Sequence, residues 1–93
     1  MNIRVKWNTE WTSYGPNGDN VQKEKEKMEN CLEHFIRANA AALGARENDQ
    51  VIVDVILHAR SHLIFKGEIF ISENKIADIT VENIEPYKVA LVH

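Results

Sequence analysis

The stretch His58-Ala59-Arg60-Ser61-His62 gathers the side chains of this sequence best suited to chemistry: two imidazoles with a guanidinium between them. Two histidines can share a metal ion, or form a contact that breaks when both take up a proton and like charges meet. An arginine offers a planar fork to a carboxylate or phosphate. A zinc site needs a third and usually a fourth ligand. Asp54 lies four residues back along the same strand, about 13 Å away at strand rise. Ala59, Arg60 and Ser61 supply no cysteine or carboxylate. The pair therefore falls short of a metal centre, and no cofactor is expected. A small metal-dependent enzyme using His58 and His62 remains an alternative reading.

Other reactive constellations are missing from the sequence. It has no glycine-rich phosphate loop and no nucleophile elbow, nor two carboxylates at a spacing suited to acid–base work. Cys31 is the single cysteine. It precedes Leu32 on a helical apolar stripe and has only His34 close by in sequence, so it reads as a small apolar filler rather than an activated thiol. The expectation is a protein that is not an enzyme.

The elements that position these residues can be read from periodicity. "NIRVKW" alternates Ile3, Val5 and Trp7 against Arg4 and Lys6, the pattern of a half-buried strand. "NTEWTSYGPNGDN" is a loop around Gly15-Pro16-Asn17-Gly18. Its Trp11 and Tyr14 either fold back over the core edge or act as contact anchors. Asp19 is placed to cap a following helix, with Gln22 as the reciprocal partner. Met28, Leu32, Phe35, Ile36, Asn39 and Leu43 recur at helical spacing. Gly44 is suited to the left-handed C-terminal position, so the spacing predicts one long helix over about residues 20–43. Its first turns, "QKEKEKME", mix charges of both signs and read as a solvated face. Lys23 with Glu26 and Glu24 with Lys27 are expected as i,i+3 pairs.

Three further strands follow: "VIVDVILH", "LIFKGEIFI" and "KIADITVENI". "YKVALV" after Pro86 is expected as a fifth. The fold class expected is α+β. One long helix packs on a mostly antiparallel sheet of four to five strands, in the order β-α-β-β-β with a possible C-terminal strand. Residues 1–93 form a single domain, since a chain of this length supports one core.

Side-chain parity sets an expected register. Leu57 opposite Leu63 and Val55 opposite Phe65 bring the apolar faces together. The same register puts Asp54 opposite Lys66, Ile56 opposite Ile64, and His58 opposite His62, with their Cβ atoms about 5 Å apart. For the next hairpin, Ile69 opposite Ile79 avoids setting Glu68 against Asp78, and carries Ile64 to Ile84. On the face away from the helix this predicts a line Ile56-Ile64-Ile84 with the polar rim His58, Arg60 and His62 beside it. Contiguous exposed apolar surface marks an interaction site. These six residues are the candidate partner-binding set.

Composition narrows the partner. Of 93 residues, 44% are hydrophobic and 27% charged, and the formal net charge is −3. That balance argues against a general nucleic-acid binder. With no apolar run approaching the roughly 20 residues that span a bilayer, no membrane partner is expected. A single cysteine and no apolar leader point to a cytoplasmic, reduced setting.

The order strand-helix-strand-strand-strand resembles the start of the ribosome hibernation-promoting factor (protein Y) family. The parallel covers "KEKEKMENCLEHFIR" as the helix and "VDVILHARSHLIFKGEIFISENKIADITVENIEPYKVAL" after it. The resemblance implies a ribosome-binding protein with Lys23, Lys25, Lys27 and Arg37 as candidate RNA contacts. In this chain those positions are interleaved with Glu24, Glu26 and Glu29. The leading expectation is instead a small protein-binding module, an inhibitor or regulator of a larger protein. It would act through an apolar sheet face or sheet edge, and would form a homodimer or higher oligomer.

Overall fold

The structure, a computed structural model, describes residues 1–8, 19–59, 64–82 and 87–92; for residues 19–21 and 57–59 only the backbone is described. Element order is β1 (Asn2–Trp7), α1 (Asp19–Ala38), α2 (Ala40–Leu43), β2 (Gln50–Ala59), β3 (Ile64–Ile71), β4 (Asn74–Glu82) and β5 (Lys88–Val92). The strands form one sheet in the spatial order β1-β2-β3-β4-β5. This is the expected α+β class, with "YKVALV" supplying the fifth strand. The sheet is mixed: β1 runs parallel to β2, and the other three pairings are antiparallel. A strand joined to the next by a helix crossover returns parallel, and α1 is that crossover.

The expected single helix is interrupted. At Asn39 the backbone takes φ −110° and ψ 16°, and its side-chain Nδ2 donates to the Phe35 carbonyl at 2.8 Å. A short amide that bonds the preceding turn competes with helical continuation. Asn39, the one amide among those residues at helical spacing, thus marks a helix break. α2 then closes as expected on Gly44, at φ 74°. The Gly44 and Ala45 N–H groups return to Ala41 and Ala40 at 3.2 and 2.9 Å, the double bond pattern of a glycine-terminated helix. Asp19 falls inside α1; its side chain lies outside the described residues.

One face of the sheet carries the core. Met28, Leu32 and Ile36 of α1, one turn apart, are buried against Val51, Val53, Val55, Phe65, Ile69, Ile79 and Val81. A single row crosses all five strands: Trp7-Val55-Gly67-Ile79-Leu91. Gly67 stands where the backbone of β2 comes close. A Cβ there would meet the Asp54 carbonyl oxygen at 3.1 Å and Ile79 Cγ1 at 3.3 Å. Trp7 and Phe65 meet edge-to-face, ring centres 6.3 Å apart, across β2.

Both expected registers are displaced. Val53 pairs with Ile69 and Val55 with Gly67, so Asp54 faces Glu68 rather than Lys66. Ile56 is then the extra residue of a bulge. Beyond it His58 pairs with Phe65 and Ala59 with Ile64. His58 does not face His62, and Ile56 does not face Ile64. In the next hairpin Phe65 pairs with Val81, Gly67 with Ile79 and Ile69 with Ala77. This is the register that sets Glu68 against Asp78. Two effects favour it. Phe65, Gly67 and Ile69 on the core face of β3 there meet Val81, Ile79 and Ala77 of β4. Lys75 Nζ also lies 3.1 Å from Glu68 and 3.3 Å from Asp78, so one cation answers both carboxylates. A two-residue turn, Ser72-Glu73, with both φ positive at 49° and 68°, closes the hairpin.

Candidate functional site

The sheet has a second face. Both helices lie on the core side: Met28, Leu32 and Ile36 are core residues, and Leu43 packs against them. No described element packs over the opposite face. Its side chains come from the alternate positions of each strand. One row reads Lys6-Asp54-Glu68-Asp78-Val92. The next toward the start of β1 reads Arg4-Ile52-Phe70-Lys75. On the other side of the acidic row lie Lys66, Thr80 and Ala90.

Apolar side chains on this face stay in contact with water. Ile56 is 43% exposed, Ile76 36% and Val92 50%, all high for large aliphatic residues. None packs against the core cluster, nor do Ile52 and Phe70, which sit directly opposite each other and are half-buried. Ile56 and Ile76 both stand at bulges. A bulge leaves its extra residue without a partner on the neighbouring strand.

The predicted line Ile56-Ile64-Ile84 is not formed. Ile64 pairs with Ala59 on one side and Glu82 on the other, and Ile84 lies outside the described residues. So do Arg60 and His62, as does the His58 side chain; nothing is shown of the expected polar rim or of a paired-histidine contact. Trp11 and Tyr14 also fall outside. The structure instead divides the apolar surface in two. Ile52, Phe70 and Ile76 lie on one side of the carboxylate row, Ile56 and Ala90 on the other, and Val92 ends the row itself. Ile52 and Phe70 carried a signal in the sequence: both belong to the minor apolar set of their strands. The register differs by two residues from the one that would pair Ile56 with Ile64, and it pairs Ile52 with Phe70.

The carboxylate row is largely neutralised within the chain. Asn8 Nδ2 donates to Asp54, and Lys75 bridges Glu68 and Asp78. Lys75 is held protonated above its ordinary value of 10.5, first by its hydrogen bond to Glu68 and then by that to Asp78. Counting Lys6 and Lys75 against three carboxylates leaves one net negative charge on the strip. A strip with its charges answered costs less to cover than isolated ions do.

The helix charges behave differently from a simple solvated face. Glu24 accepts from the Tyr87 hydroxyl and pairs with Lys27 at 3.4 Å. Glu29 accepts from Trp7 Nε1 at 2.7 Å. Lys25 Nζ lies 5.6 Å from the centre of the Trp7 ring, within cation–π reach. Arg37 pairs with Glu33 at 2.9 Å and donates to the Met1 carbonyl. The Glu24–Lys27 pair is as expected, whereas Glu26 accepts from Gln22 at 3.5 Å.

Beside α1, an open groove of about 300 Å³ runs along β1, lined by Ile3, Arg4, Val5, Glu29, Asn30 and Glu33. Its two carboxylates are those already bonded to Trp7 and Arg37. Among the described residues no three His, Cys, Asp or Glu side chains converge as metal ligands would. No described helix is long and apolar enough to cross a membrane. The chain matches no family model, no curated protein and no solved structure.

Proposed function

We propose that this chain is a non-enzymatic protein-binding module, an inhibitor or regulator of a larger protein, which engages its target with the helix-free face of the sheet. The observation that carries this is the set of apolar side chains that no described element covers, Ile52, Ile56, Phe70, Ile76 and Val92, spread over a face whose carboxylates are already bonded internally. A face of this kind fits a partner with two apolar strips flanking a polar or weakly basic one. Exposed apolar surface arranged in patches with a polar border is what separates an interaction face from ordinary scattered surface residues.

Ribosome binding has less support. Of the four candidate cations, Lys25 sits over Trp7, Lys27 pairs with Glu24 and Arg37 with Glu33. Phosphate binding needs cations available to replace counterions.

The test is capture from the native lysate with immobilised protein. Wild type should retain a defined partner, and Ile52→Lys and Phe70→Lys should each lose it while circular dichroism and thermal unfolding show an intact fold. Capture that persists unchanged in both folded variants overturns the reading. Co-sedimentation with ribosomes that salt abolishes would favour the alternative.

A further inference from the structure

We infer that the free edge of β5 pairs antiparallel with β5 of a second copy of this chain, joining two five-stranded sheets into one across a twofold axis at Ala90. The inference does not depend on what covers the open face.

The two edges of the sheet differ in kind. Unpaired backbone groups on an edge strand recruit another strand unless charge, proline, a bulge or a covering element prevents it. β1 presents Arg4 and Lys6, both exposed, and Arg37 of α1 occupies the Met1 carbonyl at its start. β5, "KVALV", has one charge, no proline, and pairs with β4 through five consecutive partners without a register shift. In an antiparallel pair alternate residues turn their N–H and C=O to the neighbour and the rest turn them outward. Among the described residues, β5 therefore leaves an unbroken, unguarded set on its free side.

The sequence of β5 fits its own reverse. A twofold antiparallel pair must match faces, because side chains alternate. Centring on Ala90 uses all five residues: Lys88 meets Val92 of the second copy, Val89 meets Leu91, and Ala90 meets Ala90. Centring on Val89 or on Leu91 leaves only three pairs within the strand. With Ala90 at the centre, Val89 and Leu91, which pack against the core cluster, extend one core into the other. On the outer face the smallest side chain lies on the axis. Val92, half exposed in the single chain, gains the aliphatic stem of Lys88. The charges also agree. Lys88 has Glu82 on its own β4, and the Val92 it would face neighbours Asp78. Each lysine thus lies between two carboxylates, and no like charges meet. A second copy satisfies all of these conditions at once.

The pairing is small, below the area of standard stable interfaces, so dissociation in the micromolar to millimolar range is expected. Sedimentation equilibrium over that range should show reversible growth to twice the monomer mass. Ala90→Glu sets two carboxylates on the axis and Ala90→Lys sets two ammonium groups there. Each variant alone should weaken dimerisation about ten-fold or more, and an equimolar mixture should dimerise again. In a Cys31→Ala background, Ala90→Cys should cross-link on mild oxidation and Lys88→Cys should not, since only a self-paired position brings the two Cα atoms within disulfide reach. This cross-linking pair decides the matter if the charged variants fail to fold. A wild type that stays monomeric at millimolar concentration, single-charge variants that dimerise like wild type, a mixture that does not recover, or cross-linking as strong at residue 88 as at residue 90 would each overturn the inference. Phe70→Lys, which removes the open-face contact, should leave the dimer unchanged.

Discussion

Replacing Gly67 by alanine probes the point on which the sheet register turns. Gly67 lies between Val55 and Ile79 in the core row, one residue from the position opposite the Ile56 bulge. The added methyl would sit 3.1 Å from the Asp54 carbonyl oxygen, and 3.3 and 3.4 Å from Cγ1 and Cδ1 of Ile79. The closest contact is backbone, and the strand that carries it is held on its far side by β1. Overpacking of this kind costs about 1–3 kcal/mol. Alanine recovers about 0.5–1 kcal/mol through its smaller loss of backbone freedom in a strand. The net expectation is a loss of about 1 kcal/mol, at most about 2.5, and a fall of roughly 4–8 °C in Tm per kcal/mol for a domain of this size. Urea and thermal unfolding followed by circular dichroism measure it. Ile79→Val trims the 3.4 Å contact but leaves the carbonyl in place, so in the double variant it should rescue only part of the loss. Gly67→Ala as stable as wild type would refute the close approach. Full rescue by Ile79→Val would show that the side chain, not the β2 backbone, sets the limit.

Ser72→Asn with Glu73→Gly places residues suited to positive φ in the β3–β4 turn, where φ is 49° and 68°, and should stabilise the fold by about 1–2 kcal/mol in urea titration. Lys75 has a folded-state pKa raised above 10.5 by Glu68 and Asp78. Its contribution is therefore fully present below the unfolded value and is lost as pH rises through the folded one. The stability difference between wild type and Lys75→Met should be constant from neutral pH to about 10 and shrink above that, and a difference that grows with alkalinity would contradict the sign. Glu29→Ala removes the acceptor of the Trp7 indole at 2.7 Å. It should cost about 1 kcal/mol for this half-exposed bond and shift the fluorescence of Trp7, measured with Trp11→Phe as the background.

The helix charges show how one residue can serve two layers. Glu24 reaches Tyr87 ahead of β5, Glu29 reaches Trp7 at the end of β1, and Arg37 reaches Met1. α1 is thus tied across the width of the sheet by its polar flank as well as by Met28, Leu32 and Ile36. The mixed run "QKEKEKME" has the spacing of a solvated face, and Gln22, Lys23, Glu26 and Lys27 are indeed exposed. That Glu24 and Lys25 turn inward depends on where two aromatic residues, Tyr87 and Trp7, 63 and 18 positions away, arrive in space.

Local chemistry was enough to specify the elements of this protein. Alternation marks β1 and β2, the Met28-Leu32-Ile36 spacing marks α1, Gly44 ends α2, and the β-branched run after Pro86 becomes β5. Each depends on neighbours within a turn or a pleat, so the sequence holds the relevant information nearby. Register and the composition of the open face were decided only by the assembled sheet. The sequence favours Asp54 against Lys66 and disfavours Glu68 against Asp78 when hairpins are weighed two strands at a time. In the sheet, Asn8 arrives from β1 and Lys75 from the bulged start of β4, and they satisfy the carboxylates that a pairwise view leaves in conflict. With that conflict removed, apolar matching across the core governs. A shift of two residues then sets Ile52 directly opposite Phe70 beside the carboxylate row of the uncovered face, and sets Ile64 against Ala59 and Glu82.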